Sequence, residues 1–176
     1  MDLDEIADEG KRKMKLYIKQ RFFSWRDKFS IYDENGNVKY YVEGDVFSWA
    51  KKLRLYDLEK RELALIEEER SAFLQKYRIF RDGNQMALVV KEITFFKHIF
   101  SVYGLDWSVR GDFWNHEYEI ANNEQTIVTI SKEWMTWGDT YEIRFATAVD
   151  EVAALAVVLV IDACIEEAQN RQKEIL

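Results

Sequence analysis

Val152-Ala153-Ala154-Leu155-Ala156-Val157-Val158-Leu159-Val160-Ile161 is an unbroken run of ten apolar residues, ended by Asp162. Val157, Val158, Val160 and Ile161 are β-branched, so propensity alone is ambiguous. Ala153, Ala154, Ala156 and Ala163, with the helix-favouring tail Glu166 to Lys173, decide for helix. Thr147 and Asp150 have the spacing of a capping box, with Asp in place of Glu or Gln. Asp150 and Glu151 put negative charge in the first turn, where the helix dipole favours it. The central helix is therefore expected at about 148–165, with a polar helical tail behind it. A helix that is apolar on every side either spans a membrane or is enclosed by protein. A span needs about 20 apolar residues, twice the length of this run. Enclosure is the better reading, and only a closed sheet can surround a helix.

The rest of the chain supplies such a sheet. From Met14 to Ala146 short segments alternate with period two: Leu16 and Ile18 against Tyr17 and Lys19, Phe29 and Ile31 against Ser30 and Tyr32, Leu53 and Leu55 against Arg54 and Tyr56. Asn35-Gly36 and Asp82-Gly83 are strong hairpin turns, with Asn122-Asn123 and Gly138-Asp139 weaker ones of the same kind. Aromatic residues make up 15% of the chain and proline is absent, a composition that suits uninterrupted strands. A unit of 24 residues recurs. Phe22-Phe23-Ser24-Trp25 and Lys28 to Asp33 return as Val46-Phe47-Ser48-Trp49 and Lys52 to Asp57, and in degraded form as Ser71-Ala72-Phe73 and Lys76 to Asp82. The unit has the length of one hairpin with its connection, so it reads as a meander. Turn spacing implies about twelve strands. Twelve strands tilted about 40° close at roughly 12 Å radius, wide enough for a helix of about 10 Å. The expected fold is mostly β: a closed antiparallel barrel threaded by its own C-terminal helix. Residues 1–13 are expected to be a charged arm, and 14–176 a single domain.

Charge and cysteine usage narrow the function classes. The net charge of −7 lacks the basic excess that phosphate neutralisation needs, so nucleic acid is a poor partner. Met1-Asp2-Leu3-Asp4-Glu5 has neither a basic n-region nor an apolar h-region, and no secretory signal is read there. Cys164 is the single cysteine and belongs to the apolar helix, where an inert buried thiol is expected. A cytoplasmic location, peripheral at the inner membrane face, is the expectation. No transmembrane segment is read, and the oligomeric state is not legible.

The chemistry-bearing constellations are few. His98 and His116 have no second ligand at metal spacing, and His116-Glu117 lacks the second histidine of a zincin helix. Gly111-Asp112-Phe113 resembles a kinase motif in letters only, and reads as a turn or bulge in which glycine supplies the backbone angle and aspartate accepts a hydrogen bond. Glu117 and Glu119 share a strand face, as do solvated carboxylates in any acidic β protein, and Glu67-Glu68-Glu69 guards a strand end. The tryptophans (Trp25, Trp49, Trp107, Trp114, Trp134, Trp137) lack the basic groove of a stacking platform and read as packing. No catalytic residue, metal ligand or cofactor site is assigned. The candidate site is a basic cluster, Lys51, Lys52 and Arg54, echoed one repeat earlier by Arg26 and Lys28. If equivalent connections bring both copies together, they form a patch for anionic lipid headgroups. An unknown protein is the other partner considered.

Ile18-Lys19-Gln20, Phe22-Phe23-Ser24-Trp25, the Asp33 to Asn37 turn, Gly111-Asp112-Phe113, Ile130 to Trp134, Trp137 to Tyr141 and Val160-Ile161-Asp162 together resemble the LURP-one-related family, in its bacterial YxjI-like branch. The resemblance spans about Met14 to Ile165. It implies the tubby C-terminal-like fold, a barrel around a central helix shared with tubby domains and phospholipid scramblases. It implies no firm biochemical activity in bacteria, whereas plant members are linked to defence and tubby domains to phosphoinositides. None of the lipid-binding residues of tubby domains matches here by motif. Residues 1–13 extend beyond the usual start of the family, and Gln75 stands where relatives commonly carry proline. The function so implied is a non-enzymatic interaction or regulatory module that contacts anionic headgroups. A small-molecule carrier or a protein scaffold is the alternative.

Overall fold

The computed structural model describes residues 14–19, 28–45, 50–69, 71, 74–93, 98–113, 115–133, 140–146 and 148–175. Twelve strands follow one another in chain order: β1 Met14–Ile18, β2 Lys28–Asp33, β3 Val38–Gly44, β4 Lys52–Tyr56, β5 Glu62–Glu69, β6 Gln75–Arg81, β7 Asn84–Ile93, β8 His98–Tyr103, β9 Trp107–Asp112, β10 Glu117–Asn122, β11 Gln125–Glu133 and β12 Thr140–Phe145. Each pairs antiparallel with its chain neighbours. β12 returns to β1 through the register Met14↔Phe145 to Ile18↔Tyr141, and the sheet closes. The helix, here α1, is Glu151–Ile175.

Alternation does what the sequence implied. Leu16, Ile18, Ile31, Val42, Leu53, Leu55, Ile66, Ile79 and Val89 point inward and are at most 1% exposed. Against them lies α1, whose thirteen residues from Ala153 to Ile165 are all buried. At about 1.5 Å per residue this stretch is roughly 20 Å long. Burial of such a run contributes on the order of 10–20 kcal/mol gross. The helix begins at Glu151, later than the 148 expected, and its polar tail continues it without a break to Ile175. Asp150 is the N-cap itself, not the third residue of a capping box: its Oδ1 accepts from Ala153 N at 3.0 Å, and its carbonyl accepts the first helical bond, from Ala154 N. Thr147 lies outside the described residues.

The 24-residue repeat is visible as structure. β2 and β4 begin at equivalent positions and β6 one residue earlier, and the pairing register slips at Ile31/Tyr32, Leu55/Tyr56 and Ile79/Phe80 in turn. Each slip bends its strand just before the turn, the curvature a closing sheet needs. The first two copies end in an aspartate that builds the turn. Asp33 Oδ1 accepts from Asn35 N and Asn37 N, and Asp57 Oδ1 accepts from Arg61 N, all within 2.9 Å. Val46 to Trp49, Phe22 to Trp25 and Phe73 lie outside the described residues, as do residues 1–13, Gly138-Asp139, and all the tryptophans except Trp107.

Asp82-Gly83 and Asn123-Glu124 have positive φ at both central positions, as two-residue hairpins require. Glu124, at φ 67°, sits where glycine is preferred and is exposed. Glu124→Gly is expected to raise stability by about 0.5–1 kcal/mol, the left-handed penalty less the entropy of an added glycine. That is roughly 1–4 °C in Tm, checked by thermal melting.

Candidate functional site

The described basic residues singled out above, Lys28, Lys51, Lys52 and Arg54, are interleaved with acids. Lys28 lies on β2, Lys52 and Arg54 on β4, and β3 runs between them. The cross-strand row Lys28↔Glu43↔Arg54 therefore alternates in sign, and so does Lys52↔Glu67↔Arg78. Lys28 Nζ is 3.2 Å from Glu43, Arg54 Nε is 3.3 Å from Glu62, and Lys52 pairs with Glu67. Lys51 pairs with Glu68 at 3.6 Å and with Glu167 on the helical tail. Every described member of the set has a carboxylate partner. Arg26 lies outside the described residues. Sequence shows which residues share a strand but not which strands lie side by side, and the acids that quench this cluster come from β3, β5 and α1.

At the entrance of α1 into the barrel a second charged group is assembled. Arg81, at the end of β6, donates through both terminal nitrogens to the two oxygens of Asp150, at 2.7 and 2.8 Å. Tyr40 donates to Glu151 at 2.7 Å, and Lys39 approaches the same carboxylate at 2.8 Å. An open cleft of about 380 Å³ lies here, between Tyr40, Glu62, Arg81, Asp150 and Glu151. Its main polar groups are spent on one another, which makes the entrance a latch for the helix. The Arg81 guanidinium holds the Asp150 carboxyl below its ordinary value of 3.8. A depressed folded value gives stability that is complete at neutral pH and lost as pH falls through it. Asp150→Ala is thus expected to cost about 1–2 kcal/mol at neutral pH. The gap to wild type should close in melts taken below pH 3.8.

Two buried polar clusters face the lower half of α1, and neither was anticipated from the sequence. In the first, Tyr118 on β10 donates to Asp162 at 2.7 Å, in an environment where burial pushes the phenol well up. His116, at φ 54°, stacks on Tyr141 with ring centroids 4.5 Å apart, and its Nδ1 lies 3.6 Å from Asp162 Oδ1. Asp162 and Tyr118 are at most 4% exposed, so the cluster fixes the rotation of the helix inside the barrel rather than facing a substrate. The only signal in the sequence was an acid directly after ten apolar residues. In the second, Lys91 is 8% exposed on the inner side of β7 and its Nζ is 3.5 Å from the Cys164 carbonyl. Burial lowers the lysine and pushes the Cys164 thiol up to about 12. Cys164 is buried on the central helix, where the sequence placed it.

Gly111-Asp112-Phe113 and Glu119 lie as the sequence suggested. Gly111 has φ 138°, and Asp112 accepts from Asn115 N and Nδ2, so the Gly-Asp-Phe stretch builds a hairpin turn. Glu119 is on the outer face, held by Arg110 and Thr126. Trp107 is half-buried against the core, and the side chain of His98 is outside the described residues. No group of three His, Cys, Asp or Glu able to hold a metal occurs among the described residues. No described helix is long and apolar enough to cross a membrane.

Twelve antiparallel strands closed around a buried C-terminal helix define a barrel of the tubby C-terminal-like class. A solved structure of a protein from Arabidopsis thaliana has the same fold, with a TM-score of 0.60 at 18% identity, over 89% of this chain and 91% of that one. The chain belongs to the LURP-one-related family, whose pattern it matches over residues 14–162. It is 34% identical over 149 residues to the uncharacterized protein YxjI of Bacillus subtilis (strain 168), covering 85% of this chain and 92% of that one.

Proposed function

We infer that this protein is a non-enzymatic interaction or regulatory module that works through the outer surface of its barrel. One observation carries the reading: the space in which a closed barrel of this kind would hold a ligand is filled by thirteen buried residues of its own helix. Chemistry or cargo is thereby displaced to the wall and the rims. The rim cleft is large enough for a small molecule, but a ligand there would have to separate Arg81 from Asp150, which argues against the carrier alternative.

Between protein and lipid partners, the charge rows favour protein. An anionic headgroup gains little from a lysine that must first give up a carboxylate, and surface pairs of alternating sign present no net field. The expected result in vesicle flotation is no binding to phosphatidylserine and phosphoinositide vesicles at about 0.15 M salt, by wild type or by the Lys51→Glu/Lys52→Glu/Arg54→Glu variant. Binding that rises at low salt and vanishes in the variant would instead establish an anionic headgroup site. A turnover abolished by one carboxylate or histidine substitution would overturn the non-enzymatic reading.

A further inference from the structure

The barrel wall is not evenly sealed. β7 and β8 pair over six residues, from Leu88↔Tyr103 to Ile93↔His98, and β9 and β10 over six, from Asn122↔Trp107 to Glu117↔Asp112. Between β8 and β9 only Ser101↔Ser108 and Val102↔Trp107 are paired. Both strands run on beyond that point, β8 back to His98 and β9 forward to Asp112. Each is fully paired on its far side and unpaired on the side facing the other. Gly111 helps to explain the break. Its φ of 138° is not a strand conformation, and it turns β9 while keeping register with β10.

The two lips, at Ile99–Phe100 and Val109–Gly111, therefore carry main-chain groups with no ladder partner among the described residues. Ile99 is 40% exposed, and Arg110 and Gly111 are exposed. Beneath them the floor is apolar and closed: Phe100, Val109 and Phe113 are buried, and the Phe100 and Phe113 rings meet edge to face at 5.1 Å. An unpaired strand edge is a template for one further strand, and in closed barrels such edges are otherwise abolished.

We propose that this interrupted seam receives an extended segment of a partner protein, paired through its main chain to the β8 and β9 lips and carrying apolar residues at alternate positions. The chemistry of the lips selects the occupant. Rows of N–H and C=O match another extended backbone and neither a lipid nor a small anion. Each lip is only a few residues long between fully paired stretches, so a second barrel, whose own edges are equally recessed, has no long edge to offer. Side chains of a strand alternate, so every second residue of the guest falls over the Phe100–Phe113 floor and the rest lie outside beside Ile99. This goes beyond the surface-module reading, and its failure leaves that reading intact, since the vesicle experiment does not touch the seam.

The test uses the full chain, isotopically labelled for amide spectroscopy, and a blocked heptapeptide of alternating threonine and valine as probe. A second peptide of the same sequence, N-methylated at alternate positions, keeps the side chains but cannot complete a ladder. The first peptide is expected to shift amide signals at residues 99–100 and 109–111 and to slow exchange there by about tenfold. The methylated peptide should bind about tenfold more weakly, and Ile99→Asp should weaken the first peptide as well. The proposal is overturned by equal affinity for the two peptides, by shifts mapping elsewhere, or by no binding at about 1 mM. It is also overturned if the lip amides of the free protein are already as protected as those of the β7–β8 ladder.

Discussion

Val158→Asp is expected to yield no folded protein. Val158 is fully buried on α1, one helical turn before Asp162 and so on the same face. The new carboxyl would enter an apolar lumen beside an existing one, whose Tyr118 partner is already engaged. Even protonated, an unpaired buried polar group costs about 2–7 kcal/mol, and removal of the valine methyls leaves the lumen underpacked as well. An ionised carboxyl costs far more, so against a total stability of roughly 5–15 kcal/mol the cooperative transition is expected to be lost at neutral pH. Val158→Ala is the control: it removes packing without adding a carboxyl, and about 2 kcal/mol should be lost with folding retained. Calorimetry and circular dichroism on both variants distinguish the cases. A soluble Val158→Asp protein with a sharp melt would contradict the enclosed helix.

Gly111→Ala is the second substitution with a large effect, although it adds a single methyl group to an exposed residue. A Cβ at this position would sit 2.5 Å from the Glu117 carbonyl oxygen and 2.5 Å from the Tyr118 Cα. Both are backbone atoms of the paired strand β10 and cannot swing aside. The φ of 138° adds strain for any residue with a side chain. Overpacking and strain together should cost about 3–5 kcal/mol, or roughly 10 °C in Tm. Gly36→Ala provides the contrast. Its φ is also positive, at 81°, but nothing lies within 4 Å of the added carbon, so only about 1 kcal/mol should be lost.

These two sites mark what the sequence makes legible. The helix could be read because ten apolar residues are too many for one face of a sheet and too few for a bilayer. The strands could be read because Leu16, Ile31, Leu53 and Ile79 stand in strict alternation, and hairpins keep pairing local along the chain. Gly111 could be assigned to a turn, but the closeness of β10 at that point could not. The candidate site was less legible for the same reason. Lys52 and Arg54 look basic along their own strand, and only the register with β3 and β5 supplies Glu43, Glu62 and Glu67. Lys91 is one residue of a strand whose inner side is otherwise apolar, and period two alone does not say that its amine points at α1. The unsealed β8–β9 seam is a property of pairing between strands, and no single stretch of residues records it.

The order in which this molecule is assembled has a consequence for its synthesis in the cell. The sheet closes through β1 and β12, and the segment that fills it follows both, at residues 151–165. A nascent polypeptide halted between β12 and the helix, at residues 146–150, has all twelve strands and nothing to enclose, with their inward side chains wet. Folding therefore cannot be finished while translation of this region is under way. Prematurely terminated chains are left recognisably open to the proteases and chaperones that inspect the ribosome's output.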